Sequence, residues 1–300
     1  MIERFLNYLQ YERNRSARTV EAYEDDLRSF EAFFRKLDSQ LSWESVDSDV
    51  IRDWMESMMD KGNTATSVNR RLSAVRSLYR FALSRGLVQN DPAHAIVGPR
   101  KEKVLPQYLR EDEMDRLLDE QAWNDSFADH RARTIIIMFY STGIRLSELT
   151  GLNDASVDLR RRMLKVLGKR NKERLVPFGE ELESALNGYM AARDAQVRRD
   201  DDALFVSDKG KRMTSQQVRT LVVRQLSKVS TLKKRSPHVL RHTFATAMLN
   251  HEASIASVGK LLGHESLSTT EIYTHTTFEQ LKRVYGRAHP RADSQSAARK

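Results

Sequence analysis

Four short stretches between residues 142 and 275 carry side chains suited to handling a charged group. They contain Arg145, Lys169, His238, Arg241, His264 and Tyr273. No carboxylate cluster accompanies them, although metal-dependent nucleases need carboxylates to hold Mg²⁺. Arginine binds non-bridging phosphate oxygens in a forked geometry and stays charged at any working pH. The combination therefore suits a phosphodiester site that works without metal.

Each pattern also has an ordinary structural explanation when it is taken alone. Arg145 and Glu148 have the i,i+3 spacing of a surface ion pair. Lys169 lies on a predicted turn, where solvated charges are common. His238 and His242 have the i,i+4 spacing of zinc ligands, but the motif lacks a glutamate and the chain has no cysteine and no evident third ligand. We predict no metal and no cofactor.

The first part of the chain is predicted to be helical throughout. Apolar residues recur at helical spacing in four stretches, as at Val20, Leu27 and Phe30, which predicts a four-helix domain over residues 1–88. Residues 89–106 hold three of the six prolines and no sustained apolar period, so we predict an interdomain linker there. Residues 107–300 then form a second domain with a C-terminal tail.

The second domain is predicted to be mostly helical with a small antiparallel sheet. One helix starts at Glu111, a later one ends near Gly143, and residues from about 214 onward are again helical. Met163–Leu167 and Arg174–Phe178 are strand-like runs around a basic tip and predict a β-hairpin. Ala203–Val206 is expected to add a third strand, and the tail from residue 287 is expected to be loosely ordered.

The charge distribution indicates a polyanionic partner. The chain has 50 Lys and Arg against 41 Asp and Glu, a net charge of +9. Gly62–Asn90 and Lys209–His251 contain no acid, as expected of surfaces that bind phosphate backbones, although a solvated basic face is the plain alternative. The predicted DNA-binding residues are Arg70, Arg71, Arg76, Arg80, Arg170, Lys172, Lys211, Arg212, Lys233 and Lys234.

The composition excludes several classes of protein. Without cysteine there is no disulfide framework, thiolate metal site or cysteine nucleophile. No run of 18 apolar residues exists, and the first residues, MIERFLNYLQYERN, lack the apolar stretch of a secretory signal. We expect a cytoplasmic, nucleoid-associated protein with no membrane partner.

The motifs TGIRLSEL, GKRNKERLVP, HVLRHTFAT, LLGHESLSTTEIYTH and AHPRA occur in one order along the chain. In this order and spacing the chain resembles the tyrosine recombinases, the phage-integrase family, of the XerC/XerD type. The resemblance covers essentially the whole length. It implies an N-terminal SAM-like core-binding domain and a C-terminal catalytic domain that close around DNA as a clamp.

The resemblance also implies a role for each candidate residue. They are Tyr273 as the nucleophile, Arg145 and Arg241 as ligands of the phosphate oxygens, His264 as a donor to the same phosphate, Lys169 as the acid for the leaving 5′-oxygen, and His238 in acid–base transfer. Glu148 is expected to be structural. Arg170 stands where the family often has glycine, so Lys172 remains an alternative acid, with Lys169 preferred because it follows Gly168.

The resemblance further implies an assembly and a reaction. Such enzymes cut and rejoin DNA at a specific site through a 3′-phosphotyrosyl intermediate and a Holliday junction, often to resolve chromosome dimers at cell division. Four protomers act together, as a homotetramer or with a second recombinase, and a septal DNA translocase often takes part. Phe278–Tyr285 is expected to form a short helix that docks on a neighbouring protomer, with packing within its own domain as the alternative.

Three alternatives remain open at this point. The first is a mobile-element integrase or transposase of the same family, which a large additional arm-binding domain would favour. A DNA-binding protein with an inactive site would lack at least one catalytic position. A type IB topoisomerase would share the tyrosine chemistry but would relax DNA as a monomer.

Overall fold

The computed structural model describes residues 1–101, 107–120, 123–168, 172–263 and 275–292. The chain divides into two compact units, Met1–Val104 and Leu105–Lys300. Each unit has its own apolar core. None of the helices within the described ranges combines the length and the apolarity needed to cross a membrane.

Four helices build the N-terminal unit, as the apolar periodicity predicts. They are α1 (Ile2–Asn7, continued by a π-turn over Tyr8–Glu12), α2 (Ala17–Leu37), α3 (Ser48–Asp60) and α4 (Ala65–Ser84). The Ser16 hydroxyl accepts from the Thr19 amide and begins α2, which is ordinary N-capping. Phe30, Trp54 and Leu72 of α2, α3 and α4 are almost fully buried where the apolar stripes meet.

The chain after α4 stays on this unit before it leaves. Ala93 and Ile96 are buried in the same core. Arg76 of α4 donates through Nε to the Ala93 carbonyl at 3.2 Å and also donates to the Ile96 carbonyl. The first part of the stretch predicted as a linker is therefore packed, while its limits at 89 and 106 stay a prediction.

Eight helices within the described ranges dominate the second unit. They are α5 (Glu111–Asp115, continued by a π-turn over Arg116–Glu120), α6 (Phe127–Thr142), α7 (Leu146–Thr150), α8 (Glu180–Gln196), α9 (Ser215–Leu226), α10 (Pro237–Asn250), α11 (Ile255–Leu262) and α12 (His275–Ala288). The five residues of α6 from Ile135 to Phe139 are all buried. A helix that is apolar all round is a buried helix, so α6 forms the centre of the core.

The predicted hairpin is present, and the third strand lies elsewhere than expected. The antiparallel sheet has the order β1 (Val157–Asp158), β2 (Met163–Leu167) and β3 (Glu173–Pro177). Leu167 faces Glu173 at the hairpin end. The strand expected at 203–206 is wrong, because these residues make only isolated bridges at Ala203 and Val206 while filling the core.

The C-terminal helix packs on its own unit. Leu281 and Tyr285 of α12 are buried beside Phe244 and Met248 of α10. The helix predicted at 278–285 is part of the longer α12 (His275–Ala288), and its docking on a neighbouring protomer stays a prediction.

The residues that follow α12 are anchored as far as Ala292. His289 is buried, and its Nε2 lies 3.1 Å from the Tyr140 carbonyl oxygen. Arg291 pairs with Asp115 at 2.9 Å and with Glu181 at 2.8 Å. The expected loosening from residue 287 is therefore wrong for this part of the tail, because ion pairs and burial hold it.

Candidate active site

A glycine break between α6 and α7 places Arg145. Gly143 ends α6 with φ of +59°, the left-handed conformation that favours glycine at helix C-termini. A Cβ at this position would lie 2.5 Å from the Phe244 ring, so the close approach also requires glycine. The chain turns here, and Arg145 stands at the N-cap of α7.

Two arginines converge on consecutive carbonyl groups at the end of α11. Arg241 of α10 donates through Nη2 to the Leu262 carbonyl at 2.8 Å and also donates to the Gly143 carbonyl. Arg145 donates through Nη2 to the next carbonyl, that of Gly263, at 3.1 Å. Cations are favoured at a helix C-terminus. Both guanidinium groups are thus fixed directly before the position of His264.

The charge of Arg241 is buried without a direct counter-ion. Its side chain is 7% exposed, and no carboxylate of the described ranges lies within ion-pair distance. Burial, together with the like charge of Arg145, lowers the pKa of Arg241 to about 10. The group remains protonated at neutral pH, so it presents a positive charge that an anion would stabilise.

Glu148 links Arg145 to a third arginine. Its Oε1 accepts from Arg145 Nη1 at 3.0 Å, and its Oε2 accepts from the Arg145 amide at 2.7 Å. Arg174 of β3 binds the same carboxylate with both ends of its fork, at 2.6 and 2.9 Å. Burial alone would raise the pKa of Glu148, but the hydrogen bond and charge of Arg174 hold this pKa below its ordinary value.

Arg174 was not predicted from the sequence as a functional residue, although it lies within the GKRNKERLVP motif. The pairing joins residues 26 positions apart, so no local spacing reveals it. The available signal was the alternation along the strand. Arg174 and Val176 lie on the buried side of β3, and Glu173 and Leu175 lie on its exposed side. A buried arginine requires a partner, and Glu148 supplies it.

Two histidines lie together on α10. His238 is exposed, and its Nε2 lies 3.0 Å from Nε2 of His242 one turn later. Burial, followed by the neighbouring His238 charge, lowers the pKa of His242. The predicted acid–base residue His238 is therefore accessible and lies beside the imidazole of His242.

Other predicted catalytic residues lie outside the described residues. These are Lys169, His264 and Tyr273, together with the predicted DNA-binding residue Arg170. Their flanks are described: the Gly168 amide donates to the Lys172 carbonyl at 2.7 Å, and Gly263 ends α11 with φ of +66°. The structure brings Arg145 and Arg241 together, and the roles of the undescribed residues stay predictions.

Three of the four arginines predicted to bind DNA from α4 are held by the N-terminal unit itself. Arg70 forks onto the buried Asp26, with Nη2 to Oδ1 at 2.8 Å. Arg71 reaches the Asn63 side chain at 3.3 Å, and Arg76 holds the backbone carbonyls after α4. Arg80 is exposed. Among the described contacts of these four arginines, those of Arg80 include no such hydrogen bond or ion pair within the unit.

The basic residues predicted to bind DNA in the second unit divide in the same way. Arg212 donates to the carbonyls of Thr150 and Leu152 at 3.1 and 3.0 Å, so it ties α7 to the loop before α9. The remaining described members are exposed lysines, namely Lys172, Lys211, Lys233 and Lys234. Exposed lysines suit contact with phosphate backbones.

Comparisons with known proteins give a family match for each unit of the chain. The model of the phage integrase family matches residues 107–280, and that of the phage integrase N-terminal SAM-like domain matches residues 2–86. Tyrosine recombinase XerC of Chlorobaculum tepidum is 38% identical over 96% of this chain and 94% of its own. Tyrosine recombinase XerC of Pseudomonas syringae pv. tomato is 38% identical over 99% and 98%.

A solved structure shares the fold at lower identity. The site-specific recombinase XerH, in a post-cleavage complex with a palindromic difH substrate, aligns with a TM-score of 0.72 at 22% identity, over 95% of this chain and 84% of that one. Both halves of this chain match the family, and the arginines its motifs specify converge at one helix end. The chain belongs to the phage integrase family of tyrosine recombinases.

Proposed function

We propose that this chain is a site-specific DNA recombinase of the XerC/XerD type. It would cut and rejoin DNA through a 3′-phosphotyrosyl intermediate and a Holliday junction. The observation that carries the proposal is the pair of guanidinium groups on the consecutive carbonyls of Leu262 and Gly263. One is buried and has no direct counter-ion among the described residues, and a positive charge so placed suits the holding of a scissile phosphate.

The proposed reaction is a pair of transesterifications. The Tyr273 oxygen attacks phosphorus, the bond from phosphorus to the 5′-oxygen breaks, and Lys169 gives that oxygen a proton. His238 takes part in proton transfer at the phenol, and His264 donates to the phosphate. In the second step a 5′-hydroxyl of the exchanged strand attacks phosphorus and releases the tyrosine. One phosphoester replaces another at each step, so the reaction consumes no ATP.

Arg145 and Arg241 supply the positive charge that neutralises the pentacoordinate transition state in this scheme. Preorganised charge of this kind accounts for large rate factors in phosphoryl transfer. The same two groups leave no role that a metal must fill, and we propose metal-independent cleavage. The arrangement on α7, α10 and the end of α11 supports this because backbone carbonyls fix both forks before substrate arrives.

The proposed partner is double-stranded DNA with a specific recombination site. The exposed basic residues would contact its backbone, while Arg70, Arg71, Arg76 and Arg212 would shape the surfaces that carry them. We also propose a tetramer with itself or with a second recombinase, action on the nucleoid in the cytoplasm, resolution of chromosome dimers at division, and control by a septal DNA translocase. The XerC names of the relatives support the role in chromosome partition, and the other assignments rest on the family resemblance.

Covalent trapping tests the proposal. The protein first selects its site from a randomised duplex pool, and a nicked version of the selected duplex is incubated with it in EDTA. We expect an SDS-stable adduct that disappears in Tyr273→Phe and persists in Tyr108→Phe, a matched loss of a hydroxyl from an exposed tyrosine of the same unit. An adduct formed by Tyr273→Phe, or a requirement for Mg²⁺, would refute the proposal.

A further inference from the structure

We propose that Arg174 is a positioning residue for cleavage. Through its ion pair with Glu148 it sets the fork of Arg145 and supports the backbone that leads into Lys169 and His264. The inference rests on the proposed recombinase reaction and adds to it a group that never touches the phosphate.

The first step of the argument concerns the shared carboxylate. Arg174 Nη1 and Nη2 donate to the two oxygens of Glu148 at 2.6 and 2.9 Å. The same two oxygens accept from the Nη1 and the backbone amide of Arg145. One carboxylate therefore fixes both the side chain and the main chain of Arg145, and Arg174 fixes the carboxylate.

The second step concerns the end of α11. Arg174 Nε donates to the Leu261 carbonyl at 3.2 Å, one residue before the carbonyl that holds Arg241. A Cβ on Gly263 would lie 3.2 Å from Cδ, Cζ and Nε of Arg174, so the side chain packs directly against this glycine. The residue after Gly263 is His264, and its starting point is thus set by Arg174.

The third step concerns the hairpin. Gly168 is also close to the pair: a Cβ on it would lie 3.7 Å from Arg174 Nη1 and 3.8 Å from Glu148 Oε1. Gly168 immediately precedes Lys169 in the sequence. A single buried ion pair therefore contacts Arg145 and lies beside Gly168 and Gly263, the residues that precede Lys169 and His264 in the sequence.

The physical value of this pair is geometric. Side chains of Arg174 and Glu148 are 7% and 2% exposed, and a buried ion pair is often no more stabilising than an apolar pair of similar size. The guanidinium fork is rigid and two-pronged, which a lysine cannot reproduce. Misplacement of catalytic groups by about 1 Å can cost about 10²-fold in rate.

The experiment separates chemistry from binding. Single-turnover cleavage is measured at saturating nicked duplex selected by the wild-type protein, and the Kd is measured on the same duplex. We expect Arg174→Met to cleave about 10²-fold more slowly with a Kd within about threefold of wild type, because most phosphate contacts lie elsewhere. Glu148→Gln should behave alike, and the double variant should be no slower than either single one, as expected of groups that act as a unit.

A matched control isolates positioning from general stability. Arg193 of α8 is another fully buried arginine of the same unit and binds Asp154 at 2.7 Å. Arg193→Met should lower the Tm yet leave the cleavage rate of folded protein within about threefold of wild type, because it lies outside the site.

Each outcome decides something. If wild-type protein forms no adduct, the proposed function fails first. If wild type cleaves and folded Arg174→Met cleaves within about threefold of it, the positioning role is overturned. Should Arg174→Met fail to fold, Arg174→Lys takes its place: a loss of at least about tenfold in rate supports the role, and wild-type cleavage overturns it.

Discussion

Replacing Arg241 by methionine should remove DNA cleavage while lowering the free energy of unfolding by no more than about 3 kcal/mol. This residue is buried, holds two carbonyl groups and has no direct counter-ion within the described ranges. An arginine so placed destabilises the fold by its charge and stabilises it by its hydrogen bonds. The two effects oppose each other, whereas the effect on catalysis has one direction.

The magnitudes follow from the environment of the guanidinium. Burial and the charge of Arg145 lower the pKa of Arg241 to about 10. At about 1.4 kcal/mol for each factor of ten, this corresponds to about 3 kcal/mol of unfavourable burial of the charge. Loss of the donor to the carbonyls of Gly143 and Leu262 costs about 1–3 kcal/mol for each acceptor. Arg241→Met should therefore lower the free energy of unfolding by no more than about 3 kcal/mol.

Urea unfolding and single-turnover cleavage of the nicked duplex test this reasoning together. We expect the rate of adduct formation to fall by about 10³-fold or more, since preorganised charge at the phosphate is lost. If Arg241→Met forms the adduct at the wild-type rate, the proposed role of Arg241 at the phosphate is refuted. A loss of stability well above about 5 kcal/mol would show that the charge is compensated in the folded protein, contrary to the geometry.

Three further predictions concern the carboxylate, a glycine and the DNA surface. The partners of Glu148 hold its pKa below the ordinary value for a glutamate. The stability that this ion pair contributes is therefore fully present above the ordinary pKa and is lost as the pH falls through the lowered pKa. In urea unfolding measured between about pH 5 and pH 3, the free energy of unfolding should change less with pH in Glu148→Gln than in the wild type. Gly263→Ala should abolish adduct formation, because φ at this position is +66° and the added Cβ would lie 3.2 Å from the buried guanidinium of Arg174. The control is Gly62→Ala, where φ is +78° and the space is open: it should lower the free energy of unfolding by about 1 kcal/mol and leave cleavage intact. Arg80→Gln should reduce the slope of log Kd against log salt by about one with unchanged Tm, and Arg76→Gln should instead lower the Tm by releasing the Ala93 carbonyl.

Local patterns carried much of the fold. Apolar periodicity predicted the four N-terminal helices, and Gly143 marked the end of α6 because the left-handed conformation has few alternatives to glycine. The hairpin at 163–177 was visible as two strand-like runs around a basic tip. Such features depend on residues near one another in sequence, where spacing and conformational preference operate.

Long-range pairings were beyond this reasoning. Glu148 and Arg174 form an ion pair although they are 26 positions apart in the sequence. Neither helix nor strand periodicity specifies which two buried charged residues pair with each other. The apolar run at 203–206 has strand composition but fills the core, because its two bridges go to different partners, Asn153 and Arg212, and neither continues into a ladder. Arg70 and Arg76 were predicted to bind DNA because they lie in an acid-free stretch. Their contacts with Asp26 and with two carbonyl groups could not be foreseen from that stretch, and DNA binding by them stays a prediction.

The contact between the imidazoles of His238 and His242 has a consequence for kinetics. With ring nitrogens 3.0 Å apart, one nitrogen must donate and the other accept, so the tautomer of one ring sets the tautomer of the other. A proton that His238 gives or takes at Nε2 therefore changes its hydrogen bond to His242. His242→Gln should consequently change the single-turnover cleavage rate while leaving the His238 side chain in place.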